Sequence, residues 1–312
     1  MTALHSPPDT APSPAPAAPP SIRPRNSLGD KISRYLYRRP KVRVTSLLLL
    51  PLLWLGVLYI GSLALLFITA FWTTDSFTSK VIPAFTLENF AEIVTQPAYQ
   101  ATAIRTILIA LAVTVLCAAL ALPLGLYMAK VASPKVRAVF AIGITLPLWA
   151  GYLVKVFSWR ITFASGGPLD WFLAPLGLTG PGYGTAALVV TLAYLWFPYM
   201  AVPVYSAFRQ IPDNLFDASS DLGAKSWATV RTVAIPLLKP AFIAGSIFTF
   251  SLSLGDYIAA QFVGGKTQVI GTVIASNINL NPPLAAAFGI VPIVVVVIYL
   301  FLARKTGALK AL

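Results

Sequence analysis

The stretch LFDASSDLGAKSWATVRTVAIPLLKP, Leu215–Pro240, lies between two long apolar segments. It carries Asp217, Asp221, Lys225, Arg231 and Lys239, in a chain that is 57% hydrophobic and only 11% charged. Pro212 and Asp213, just upstream, are a helix start. In that helix Leu215, Ala218 and Leu222 share one face, while Asp217, Ser220 and Asp221 lie largely on the other. Gly223 is placed to end the helix in a left-handed conformation that costs other residues about 1 kcal/mol or more. Ser226 is then expected to cap a second short helix bearing Trp227, Val230 and Val233, with Pro236 breaking it. The stretch thus reads as two short helices at an angle, presenting Leu222, Ala224 and Trp227 to a groove on a soluble partner.

Composition decides what surrounds this insert. The 312 residues have a mean hydropathy of +0.77. Soluble domains carry about 25% charged residues, so the expected class is an all-α polytopic membrane protein with the bilayer as its main solvent. One Cys (Cys117) and one His (His5) exclude an internal disulfide and leave no ligands for a His-based triad, a zinc cluster or haem in the membrane body. Residues 1–25 hold eight Pro and no apolar core, which suits a disordered tail rather than a cleavable signal. The basic segment Ser27–Arg43 reads either as a short helix on an anionic lipid surface or as an ordinary juxtamembrane flank. The expected division is therefore 1–43, tail and basic segment, and 44–312, the membrane domain.

Six spans are expected: within Val44–Trp72, then near Thr106–Ala129, Ala138–Phe157, Thr185–Phe208, Ala241–Phe262 and Ala286–Ala303. With the N-terminus inside, the tail, the 130–137 loop, the 209–240 loop and the C-terminus hold 8, 3, 4 and 3 basic residues, 18 of the 23. The positive-inside rule makes these segments, and both termini, cytoplasmic. It also accounts for the net charge of +13 without nucleic acid. The outer connections, with Trp171 and Phe172 suited to an interface, either rim a pore, dock a partner or merely cap the spans. Pro123, Pro147, Pro198, Pro203 and Pro292 fall inside spans and favour kinks.

The cytoplasmic insert resembles a known motif. Asp217-Ala218-Ser219, Gly223 six residues after the acid, and Val233-Ala234-Ile235-Pro236 thirteen residues on from that Gly, resemble the EAA motif of ABC importer permeases. Asp stands for Glu, Ser for the second Ala, and Val and Ile for Ile and Leu. The resemblance covers about residues 44–310. "TLENF", "LALPLGLYMAK", "TLPLWAGYLVKVFSWR" and "LGDYIAAQFVGG" are most similar to the permeases of spermidine/putrescine importers, and related permeases for iron, opines or amino-acid-like solutes share the outline. The resemblance implies a type I importer fold. It makes Asp217, Ala218, Leu222, Gly223, Ala224, Trp227 and Pro236 the element that couples to the ATPase. It implies two ATP-binding subunits that hold ATP and magnesium, a second homologous permease and an extracytoplasmic solute-binding protein, with no cofactor and no catalytic residue in this chain.

Two further features bear on function. "AQFVGGKT" (Ala260–Thr267) fits a relaxed phosphate-loop pattern, but it follows a span rather than a strand and faces outward, so Gly264 and Gly265 read as the end of the fifth span. Asp256 is the one acid inside a span, about 22 Å up a core of about 30 Å. It either makes a packing hydrogen bond, pairs with Lys155 or Arg160, or meets a passing cation. In the last case Trp149, Tyr152, Tyr194, Trp196 and Tyr257 are candidates for cation–π contacts. An ATP-independent secondary transporter is the alternative class; it leaves the 209–240 insert without a role.

Overall fold

The structure, a computed structural model, describes Tyr37, residues 40–75, Thr78 and residues 80–305. The Pro-rich tail, and the part of Ser27–Arg43 that precedes Pro40 apart from Tyr37, lie outside the described residues. The chain divides into two compact units, Met1–Ser62 and Leu63–Leu312. The first holds α1 (Pro40–Trp54), followed by a π-helical turn at Leu55–Ile60. Then come α2 (Gly61–Thr69), a small hairpin of β1 (Thr73–Thr74) and β2 (Val81–Ile82), and α3 (Glu88–Thr95). In the hairpin Thr73 lies opposite Ile82 and Thr74 opposite Val81. The buried Asn89 amide donates to the carbonyls of Ala70 (3.0 Å) and Trp72 (2.8 Å), which the end of α2 leaves without helical partners.

The helices that follow are α4 (Pro97–Leu126), α5 (Pro134–Trp149), α6 (Tyr152–Phe163), α7 (Pro168–Leu173) and α8 (Thr185–Gln210), then α9 (Asp213–Asp221), α10 (Ser226–Thr229), α11 (Ile235–Gly255), α12 (Ile258–Val263), α13 (Ile270–Asn277) and α14 (Pro282–Lys305). Among the described residues five helices are long and apolar enough to cross a membrane: Leu47–Thr69, Pro97–Val131, Thr185–Gln210, Ser226–Gly255 and Pro282–Arg304. The third expected span, Ala138–Phe157, is not straight. α5 and α6 meet at a bend of 102°, because Ala150 (ψ 139°) and Gly151 (ψ 137°) are both non-helical. The fifth span departs from expectation too: α11 stops at Gly255, and α12 restarts after Asp256 and Tyr257.

The core is the packing of α4, α8 and α11 around Val113, Cys117, Leu192, Met200, Val204 and Leu238. Lipid tails are as apolar as Leu, so helices associate in hydrocarbon by close packing, which small residues permit. Gly245 of α11 is such a residue. A β-carbon there would sit 2.8 Å from Met200 Sδ and 3.0 Å from Met200 Cα, so α8 and α11 come together as backbone against side chain. We expect Gly245→Val to cost about 1–3 kcal/mol of overpacking. It should lower the apparent Tm of the detergent-solubilised complex by several degrees, and an unchanged Tm contradicts this packing.

On the outer face α7 is held to its loop by Asp170, whose carboxylate accepts the N–H of Gly180 (2.6 Å) and of Gly166 (2.7 Å). These two bonds, Gly180 first, hold the Asp170 carboxyl below the usual carboxylate range. A lowered carboxylate pKa contributes order that is complete above the ordinary value and is lost as pH falls through the lowered one. Asp170→Asn should therefore speed amide exchange at Gly166 and Gly180 at neutral pH, and the difference from wild type should vanish in strong acid.

Candidate functional site

The cytoplasmic insert begins where α8 ends. Pro212, with an extended ψ of 140°, precedes α9, whose first turn holds Asp213. At the far end Gly223 has φ +79°, the left-handed conformation expected of it. The Gly223 N–H donates to Ser220 O (2.8 Å) and the Ala224 N–H to Ser219 O (3.1 Å), the paired bonds of a Schellman end. The face formed by Leu215, Ala218 and Leu222 is exposed, and so are Asp217 and Trp227; Ala224 is half-buried. Leu222 is 89% and Trp227 66% exposed, so the turn between the two arms carries two large, strongly exposed apolar side chains.

Two expectations for the second half of the insert are corrected. Lys225, not Ser226, occupies the capping position of α10, and it makes no side-chain cap. Nor does Pro236 break a separate helix: Ser226–Gly255 is one helix of 30 residues that enters the membrane as the fifth span. Pro236 lacks an N–H and crowds the carbonyl four residues back. The π-helical turn at Val230–Ala234, immediately before α11, widens the helix there and absorbs the misfit.

The insert is braced by residues that sequence reading used only as topology charges. Lys130 Nζ donates to Ile211 O and to Asp213 Oδ1, each at 2.6 Å, and lies 5.2 Å from the centre of the Phe216 ring. One side chain thus joins the end of the second span, the end of α8 and the start of α9. Arg137 Nε donates to Met128 O (2.9 Å) and fixes the turn that carries Lys130. Between the two arms of the insert, the buried hydroxyls of Ser219 and Thr229 lie 2.9 Å apart in a hydrogen bond. Lys130 and Ile211 are 81 residues apart, so no local pattern announces the contact.

The second candidate region is the break between α11 and α12. Tyr152, the first residue of α6, donates its hydroxyl to the Asp256 carboxylate, with Oδ1 and Oδ2 at 2.7 and 2.6 Å. The Ala259 N–H donates to Asp256 Oδ1 at 2.9 Å, so the carboxylate also caps α12. The partner is Tyr152 rather than Lys155 or Arg160; the Arg160 guanidinium lies 5.4 Å from the Phe262 ring. A cavity of about 330 Å³ opens beside Asp256, lined by Tyr152, Trp196, Ser251 and Tyr257 among others. The Tyr152 and Trp196 rings stack at 6.1 Å. Trp196 Nε1 and Ser251 Oγ are buried with no hydrogen-bond partner among the described residues. Of the five aromatic candidates, the structure gathers three here. Tyr194 instead packs edge-on to Trp159 (5.4 Å) and lines a separate apolar cavity, and Trp149 is 89% exposed at the bend.

"AQFVGGKT" spans the second half of α12 and a turn, with Gly264 closing the helix and Gly265 at φ +59°. The element just before it is the membrane helix α11 rather than a strand, which removes the phosphate-loop context.

Losing the Lys130 contacts should loosen α9. Asp213 is 82% exposed, so its ion pair is largely screened, and the Ile211 carbonyl carries the greater share. We expect Lys130→Met to cost about 1 kcal/mol, or about fivefold faster amide exchange across Asp213–Asp221, and Lys130→Arg much less. Equal exchange in wild type and Lys130→Met contradicts the brace.

Comparison with known proteins gives the family. Residues 121–305 match the family described as binding-protein-dependent transport system inner membrane component. The chain is 40% identical over 305 residues to the inner membrane ABC transporter permease protein YdcU of Escherichia coli K12, covering 92% of this chain and 97% of that one. It is 30% identical over 211 residues to the spermidine/putrescine transport system permease protein PotB of the same organism, covering 66% of this chain and 76% of PotB. The crystal structure of a bacterial alginate ABC transporter, in complex with alginate pentasaccharide-bound periplasmic protein, shares the fold. Its TM-score is 0.67 at 13% identity, over 89% of this chain and 96% of that one. The chain belongs to the binding-protein-dependent inner membrane components, the permease subunits of ABC importers.

Proposed function

We propose that this chain is one half of the pore of an importer for a small organic cation of the polyamine class. The observation that carries this reading is the Asp256 carboxylate in a break of a membrane helix, beside a cavity walled by the rings of Tyr152, Trp196 and Tyr257. An acid at that depth belongs to a cavity or a partner. Its hydrogen bonds come from neutral donors, so among the described residues no basic side chain holds the place an incoming ammonium group would take. Ammonium groups fit both a carboxylate and aromatic faces. The likeness to a spermidine/putrescine permease points the same way.

In this reading the insert at Leu215–Pro240 docks on an ATP-binding subunit through Leu222, Gly223 and Trp227, with Asp217, Ala218, Ala224 and Pro236 shaping it. Two such subunits hold ATP and magnesium. A second, homologous permease completes the pore, and an extracytoplasmic binding protein delivers the solute. The helix Ser226–Gly255, about 45 Å long, carries movement of the docked knob towards Asp256.

Uptake of radiolabelled spermidine by the reconstituted complex tests the solute. A charge-assisted contact is worth about 1.5–3 kcal/mol, so Asp256→Asn should lower uptake about tenfold or more with assembly unchanged; wild-type uptake sinks the role of Asp256. Ala218→Asp and Gly223→Asp test the docking. Each should abolish ATP-dependent uptake and copurification of the ATP-binding subunit while the chain still inserts in the membrane. Retained transport in both refutes it.

A further inference from the structure

We propose that Tyr199 and Phe248 form the gate of the solute path, closing a groove that runs along α8 and α11. The proposal rests on the reading of this chain as a pore subunit and goes beyond it, because neither residue belongs to the Asp256 cavity.

The groove follows from helical spacing. On α8, Trp196, Tyr199, Pro203 and Ser206 recur at intervals of three and four and share one face. On α11, Ala244, Phe248, Ser251 and Gly255 do the same. The two stripes have a cavity at each end. The outer one, about 330 Å³, takes Trp196, Ser251 and Gly255 from these stripes and holds Asp256. The cytoplasmic one, about 440 Å³, takes Pro203, Ser206 and Ala244 and reaches the insert at Leu215.

Tyr199 and Phe248 lie on the same stripes, between the two cavities, and line neither. Their rings stack with centroids 6.1 Å apart and planes within 28°. The Tyr199 ring is also 6.0 Å from that of Trp196, so an unbroken run of rings leads from Tyr152 to Phe248. Phe248 is eight residues before Asp256, about 12 Å along the helix. Directly beside the pair, Gly245 meets Met200, so α8 and α11 are closed against each other there and a path along the groove passes on the side of the rings. Both rings stand outside the packed core, Tyr199 at 37% and Phe248 at 56% exposure within this chain.

A ring pair at this place has two physical effects. Closed, it is an apolar constriction that a hydrated cation does not cross, since such constrictions gate by dewetting. Parted, each ring offers its face to an ammonium group leaving Asp256 for the cytoplasmic cavity. Phe248 sits on the same continuous helix as Trp227 of the exposed knob, so the ring is mechanically linked to the insert.

Leak measures the gate separately from the identity of the solute. The complete complex is reconstituted in liposomes without ATP or binding protein, and efflux of methylammonium is followed. The Tyr199→Ala, Phe248→Ala double variant should leak about tenfold or more above wild type. Tyr199→Phe and Phe248→Tyr should restore the barrier. Asp256→Asn should lose uptake without leaking. A correctly assembled double variant as tight as wild type overturns the gate and makes the pair a packing contact. If the double variant does not assemble, Phe248→Trp adds bulk instead of removing it. Solute uptake slowed about fivefold or more, with ATP hydrolysis retained, supports the gate; wild-type uptake overturns it. Absence of spermidine uptake in the wild-type complex sinks the polyamine reading and leaves the leak result to stand by itself.

Discussion

One hydrogen-bonded contact joins the two interruptions in this membrane body: the Tyr152 hydroxyl on the Asp256 carboxylate. Hydrocarbon offers no partner for a freed backbone group, so a broken helix is tolerated at membrane depth only where protein or a water-filled cavity satisfies it. Here α6 begins at Tyr152 after a bend of 102°, and α12 begins just after Asp256. Each break supplies what the other lacks. The hydroxyl at the start of α6 finds an acceptor, and the carboxylate, besides receiving it, takes the Ala259 N–H that the start of α12 leaves open. The arrangement of the outer half of the core, and the cavity beside it, depends on this pairing.

The cytoplasmic half is organised differently. It is stiff where the outer half is broken. The insert is a short helix closed by a left-handed glycine, pinned at its start by Lys130 and across its arms by Ser219 and Thr229. Its second arm has no independent existence, because it is the beginning of the fifth span. In the proposed mechanism this continuity matters more than the knob's shape. A surface carrying Leu222 and Trp227 is linked by one helix to Phe248 and, at its end, to the break at Asp256.

Much of this was legible in local pattern. Runs of about 20 apolar residues can only be helices across a bilayer, and the excess of Lys and Arg on alternate loops orients them. Gly223 was legible for the same reason: the spacing of Leu215, Ala218 and Leu222 sets the helix, and only glycine ends it cheaply at positive φ. Other features misled. Ser226 and Pro236 read as a cap and a breaker because those residue types usually act so, but the packed span extends its helix through both, and a π-helical turn accommodates the proline.

The sequence by itself determined the class, the number of apolar segments, their orientation and the place of the polar insert, because each depends on side chains a few residues apart and on the solvent they face. Only the tertiary structure decided which of five aromatic residues surround Asp256, that Tyr152 is its partner, and that Lys130 braces the insert. Those pairs lie 104 and 81 residues apart in the chain. Their meeting depends on where helices cross and break, set here by contacts such as Gly245 on Met200, and such crossings leave no periodic trace along the sequence.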